Sequence, residues 1–128
     1  MELTFNQMSA MADAFEELKN TTLPFKLSLL LAKNQALIAK EIDFYVEQER
    51  EFAQKYLAAD EQGQFIQEQP GVFRIKDGLQ EECRQAREEL DKFTTNIELR
   101  KIPLSLIEDL KLTPAQVSAL EDLIDEEG

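Results

Sequence analysis

Residues Pro24 to Ala58 read PFKLSLLLAKNQALIAKEIDFYVEQEREFAQKYLA. Within this stretch Leu31, Ile38, Tyr45 and Phe52 recur every seven residues; Ile42 and Tyr56 complete the stripe, with Gln35 and Glu49 as its polar members. A seven-residue recurrence places side chains on one face of a helix. Proline at a first helical turn costs nothing, because its missing N–H would have no helical acceptor. The spacing therefore predicts one helix from about Pro24 to Ala58. At ~1.5 Å per residue it would be roughly 50 Å long, against a radius of gyration near ~14 Å for a compact chain of this size. Such a helix overhangs its own globule, and a second helix or another subunit must cover the rest of its apolar stripe.

Upstream, Leu3 and Phe5 alternate with Glu2 and Thr4 as in a short strand. Asn6 is then a candidate cap for a helix reaching about Asn20, with Met8, Met11, Phe15 and Leu18 on one face. Thr21-Thr22-Leu23-Pro24 separates it from the long helix. Downstream, Phe65–Glu68 and Val72–Ile75 flank Gln69-Pro70-Gly71, and proline followed by glycine marks a turn, so this segment reads as a β-hairpin. Asp77 is a candidate cap for a third helix to about Phe93, whose seam is Leu79, Cys83, Ala86, Leu90 and Phe93. Thr95 to Ile102 alternates like a strand with Ile97 and Leu99 inward, stopped by Pro103. A helical turn around Leu106, Ile107 and Leu110 follows. Thr113-Pro114-Ala115-Gln116 then carries a cap, a proline at the first helical position and the glutamine of a capping box. Its helix turns Val117, Leu120 and Leu123 or Ile124 inward, and Asp125 to Gly128 reads as a frayed tail.

The order is β-α-α-ββ-α-β-α: an α+β fold, with one long helix and two to three shorter ones packed on a small, mostly antiparallel sheet. A length of 128 residues suits one domain. The lone Cys83 permits no internal disulfide, the N-terminus has no signal-peptide pattern, and the longest apolar run, Leu29-Leu30-Leu31-Ala32, is far below the roughly 20 residues that span a bilayer. These features lead us to expect a cytoplasmic protein that does not enter membranes.

Twenty-six acidic residues stand against fourteen basic ones, a net charge of −12. A field of that sign repels phosphate backbones and argues against direct nucleic-acid binding. The chain has no histidine, which removes Ser-His and Cys-His pairs, imidazole metal ligands and the commonest general base near neutral pH. Its four glycines are isolated and fit no phosphate loop. No cofactor and no enzymatic activity are therefore expected.

Lys26, Lys33 and Lys40, seven apart, line one flank of the long helix with Asn34 beside them. They are the candidate site for an anionic small ligand or a protein partner, or else a solvated edge of the apolar seam. Glu41, Asp43, Glu47, Glu49 and Glu51 crowd the same helix but lack a second matched set of carboxylates, so an acidic solvated face is the simpler reading. Cys83 falls in an apolar stripe as a small hydrophobe. Phe44 lies about 100° off the seam and is the candidate self-association residue. The simplest assembly is a two-fold dimer built on the long helix. The competing outcome is a monomer whose helix breaks near Glu47-Gln48-Glu49.

Leu23-Pro24-Phe25-Lys26, Leu31-Ala32-Lys33-Asn34 and Tyr45 with Glu49-Arg50 resemble a family of small proteins encoded by tailed phages and prophages of Gram-positive bacteria. Gly71-Val72-Phe73 and Asn96-Ile97-Glu98-Leu99 fit the same layout. No activity is assigned to that family, so the resemblance implies a viral origin and no catalytic residue. Its implied roles are virion morphogenesis through contacts with a phage or host protein, or antagonism of host defence by occluding a host protein, imitating nucleic acid or sequestering a signalling nucleotide.

Overall fold

The computed structural model describes residues 1–126. Its elements run β1 (Glu2–Thr4), α1 (Phe5–Leu18), α2 (Phe25–Tyr56), β2 (Gln67–Gln69), β3 (Val72–Phe73), α3 (Gln80–Asp91), β4 (Thr94–Asn96), β5 (Ile102–Pro103), α4 (Leu104–Ile107), α5 (Pro114–Leu120), a 3-10 turn (Glu121–Leu123) and β6 (Ile124–Asp125). The α+β class and the element order expected from the sequence hold. The strands, however, form three separate two-stranded sheets among the described residues: β1 with β4 and β2 with β3 antiparallel, β5 with β6 parallel.

The contacts group the chain into two compact units, residues 1–43 with 94–126, and Phe44–Phe93. In the first, α1, the leading part of α2 and α5 supply the core. Met8, Met11, Phe15, Leu27, Ile38 and Leu123 are buried there. Leu3 closes it from β1, whose register pairs Leu3 with Thr95. Both capping boxes among the described residues lie in this unit. The Thr113 box, with Pro114 behind it, is as the sequence indicates. The first helix instead starts earlier than its pattern suggests. Thr4, not Asn6, is the cap, accepting from the Gln7 N–H at 3.2 Å while the Gln7 side chain accepts from the Thr4 N–H at 2.8 Å. Strand and helix abut here without a linker, so Phe5, read as a strand residue, is the first residue of α1.

Two further readings are corrected in this unit. The strand expected over Thr95 to Ile102 is only β4 plus a connection, because the segment leaves β1 after Asn96 and reaches a different partner at Ile102. Ile124 and Asp125, read as helix face and tail, form β6 beside Ile102 and Pro103. Pro103 tolerates this place because an edge strand does not need its missing N–H. Glu127 and Gly128, the end of the expected frayed tail, lie outside the described residues.

The second unit holds the trailing part of α2, the hairpin and α3. Helix α2 runs through Glu47-Gln48-Glu49 without a break. The hairpin is shorter than its apolar pattern, β2 and β3 with an irregular register, extended by single bridges Leu57–Ile75 and Ala59–Phe65. Gly71 has φ +78°, as a turn after Pro70 requires. Asp77 does not cap α3: Gly78 at φ +81° turns the chain, and the helix begins after Leu79 with no side-chain cap. Of the sixteen buried apolar side chains among the described residues, only Tyr56 and Cys83 belong to this unit.

Candidate functional site

Asn34 does not share the exposed lysine flank. Its side chain is 0% exposed. The amide donates to the Arg100 carbonyl at 2.9 Å and accepts from the Arg100 N–H at 2.8 Å. One asparagine thus satisfies both backbone groups of a residue in the irregular segment between β4 and β5, where no strand partner does so. The helical count explains the misreading: Asn34 shares its side of α2 with buried Leu27, Leu31 and Ile38, not with the lysines.

Lys26, Lys33 and Lys40 all lie on the exposed side of α2, and among the described residues none forms an ion pair. Three large apolar side chains share that exposure: Phe25, 80% accessible, with Leu29 and Leu37. Phe25, Leu29, Lys33 and Leu37 stand four residues apart in succession, which makes them one ridge along the helix surface, flanked by Lys26 and Lys40. From Phe25 to Lys40 the helix carries no acidic residue. The sequence pattern reveals the lysines; the exposed apolar members are legible only once the buried face is known.

The acidic group does not converge. Glu41 accepts from the Thr95 hydroxyl at 3.2 Å, Glu47 pairs with Arg50 at 2.6 Å, and Glu49 turns toward α3. Among the described residues no cluster of three or more histidine, cysteine or carboxylate side chains is placed to hold a metal.

In the second unit Glu49 is the centre of a clamp that sequence reading missed. Its carboxylate accepts from Arg87 at 2.6 and 2.9 Å and from the Tyr45 hydroxyl at 2.7 Å. Arg87 also pairs with Asp91 at 2.8 Å and lies 4.9 Å over the Phe52 ring. The Arg87 hydrogen bonds hold the Glu49 carboxyl below its ordinary range against the opposing effect of partial burial. Burial, then the bond to Glu49, pushes the Tyr45 hydroxyl up. Glu49 is a polar member of the apolar stripe, and a fork-shaped cation on α3 makes it a fastening there. Cys83 is buried and its thiol is pushed up by that burial, consistent with a packing role.

Beside the clamp, the trailing part of α2 and α3 form an open groove of about 430 Å³. Its apolar floor is Phe52, Tyr56, Ala86, Leu90 and Phe93, with Phe44 at one end. Phe44 is 52% exposed and stands 6.1 Å from the Phe93 ring. Glu51 and Glu89 line the groove, and neither forms an ion pair among the described residues. Lys55, also lining it, is 3.9 Å from Glu82 and 5.1 Å over the Tyr56 ring.

No helix among the described residues is long and apolar enough to cross a membrane. No protein-family model, curated protein or solved structure matches the chain.

Proposed function

We propose that this is a phage-encoded protein that acts without catalysis, in the host cytoplasm, by binding another protein during virion assembly. The observation that carries the reading is the exposed ridge of α2, where three lysines without ion pairs among the described residues are interleaved with Phe25, Leu29 and Leu37 on a chain of net charge −12. Lysines seven residues apart stand about 10 Å apart along a helix axis, so the three cannot converge on one small anion. They suit an extended acidic partner, with the apolar members as anchors. The test is capture of partners from phage-infected cells by tagged protein, identified by mass spectrometry. Virion proteins are expected, and Lys33→Glu should abolish their capture while Lys111→Glu, an exposed lysine away from α2, leaves it intact. Equal capture by both variants refutes the reading of this face.

The same net charge supports a second reading, antagonism of host defence through imitation of nucleic acid. A host nucleic-acid-binding protein would then replace virion proteins in the capture, and its affinity would fall steeply with salt.

A further inference from the structure

The Phe44–Phe93 unit has an unusual deficit. Two buried apolar side chains are few for a unit of this size, while five apolar side chains form the floor of an open groove. An apolar groove bounded by unpaired carboxylates selects its occupant by charge as well as by shape. The complement is an amphipathic helix with apolar anchors four and eight residues apart on one ridge and cations between and beside them. That description fits a segment of the chain itself: Phe25 to Lys40 of α2, with three cations, no acid and the exposed ridge of Phe25, Leu29 and Leu37.

We infer that the groove of the Phe44–Phe93 unit seats residues 25–40 of α2 from a second copy of this chain. The inference rests on the reading of that α2 face as an interaction surface and gives the face its occupant in the free protein, which a virion partner would displace. Leu29 and Leu37 enter over Phe52, Leu90 and Phe93; Lys33 and Lys40 meet Glu51 and Glu89; Phe44 closes one end. Reciprocal exchange closes a dimer, the commonest arrangement for a small homo-oligomer. The geometry favours a second copy because the lysines of the ridge and Glu51 and Glu89 of the groove are exposed and without ion pairs among the described residues, while the groove's own cation, Lys55, is paired with Glu82.

Sedimentation equilibrium on the full chain tests this from 1 to 100 µM protein. A dimer of twice the 14.7 kDa chain mass is expected. Lys33→Glu with Lys40→Glu, or Glu51→Lys with Glu89→Lys, should each weaken association by roughly tenfold or more, since like charges then face each other. One chain carrying all four reversals should recover association. Phe44→Ser, at an exposed position, should weaken it without unfolding the chain, as circular dichroism would report. A monomer mass throughout the range overturns the inference, as does association indifferent to both charge reversals or not recovered by their combination. If the wild type is monomeric while Lys33→Glu still abolishes capture of a virion protein, this inference fails and the proposed function stands. If capture is unaffected as well, both fail.

Discussion

Asn34→Ala is the most direct perturbation of the first unit. The native amide makes one hydrogen bond to each backbone group of Arg100, at 2.9 and 2.8 Å, from a fully buried position. Alanine at this helical position keeps the backbone of α2 but leaves a donor and an acceptor without partners. A buried polar group stripped of its partner costs about 1–3 kcal/mol. The Arg100 side chain is exposed, so water reaches part of the segment and the lower half of that range applies to each group. The expected loss is about 2–4 kcal/mol, a large share of the roughly 5–15 kcal/mol that holds a domain folded. With a urea slope of about 2 kcal/mol per molar, the unfolding midpoint should fall by roughly 1–2 M. Urea titration followed by circular dichroism reads this directly. Lys33→Ala, one residue earlier and exposed, should stay within about 0.5 kcal/mol of the wild type. Asn34→Asp adds a second test. A carboxylate accepts from the Arg100 N–H but cannot donate to its carbonyl until it is protonated. Its deficit against wild type should therefore shrink between pH 7 and pH 4. An Asn34→Ala variant as stable as Lys33→Ala would refute the account of Asn34 as a fastening.

Other expectations concern single elements. Glu49 has its carboxyl pKa lowered in the fold, so its contribution is present above the ordinary carboxylate pKa and lost as pH falls through the lower folded value. The stability gap between wild type and Glu49→Gln, measured by thermal unfolding, should be largest above about pH 5 and close at lower pH; a gap that widens on acidification contradicts the clamp. Thr4→Ala should cost about 1 kcal/mol in chemical denaturation and Asn6→Ala nearly nothing, because Thr4 is the cap; the reverse ranking would restore Asn6. Gly71→Val should cost on the order of 1 kcal/mol from backbone strain alone, since nothing lies within 4 Å of an added Cβ. Failure to recover that variant folded would mean that the turn carries contacts beyond its backbone conformation.

Local chemistry is what the sequence determined. The long helix follows from a seven-residue apolar recurrence free of internal proline or glycine. The start of α5 follows from threonine, proline and glutamine in capping order, and the Pro70-Gly71 turn from a residue that accepts positive φ. Each is settled within a few residues of chain. The lysine row was equally visible, because residues seven apart share one side of a helix. Partners far along the chain decided the rest. Asn34 looked like a companion of Lys33 until Arg100, sixty-six residues away, supplied two backbone groups in need of bonds. Glu49 looked like a defect in an apolar seam until Arg87, thirty-eight residues away, met it. Ile124 and Asp125 became a strand only because Ile102 and Pro103 offered an edge. A polar residue on a helix carries the same local signal whether it faces water or a distant group. Only the tertiary structure assigns it, since the free energy that separates the two outcomes belongs to the partner.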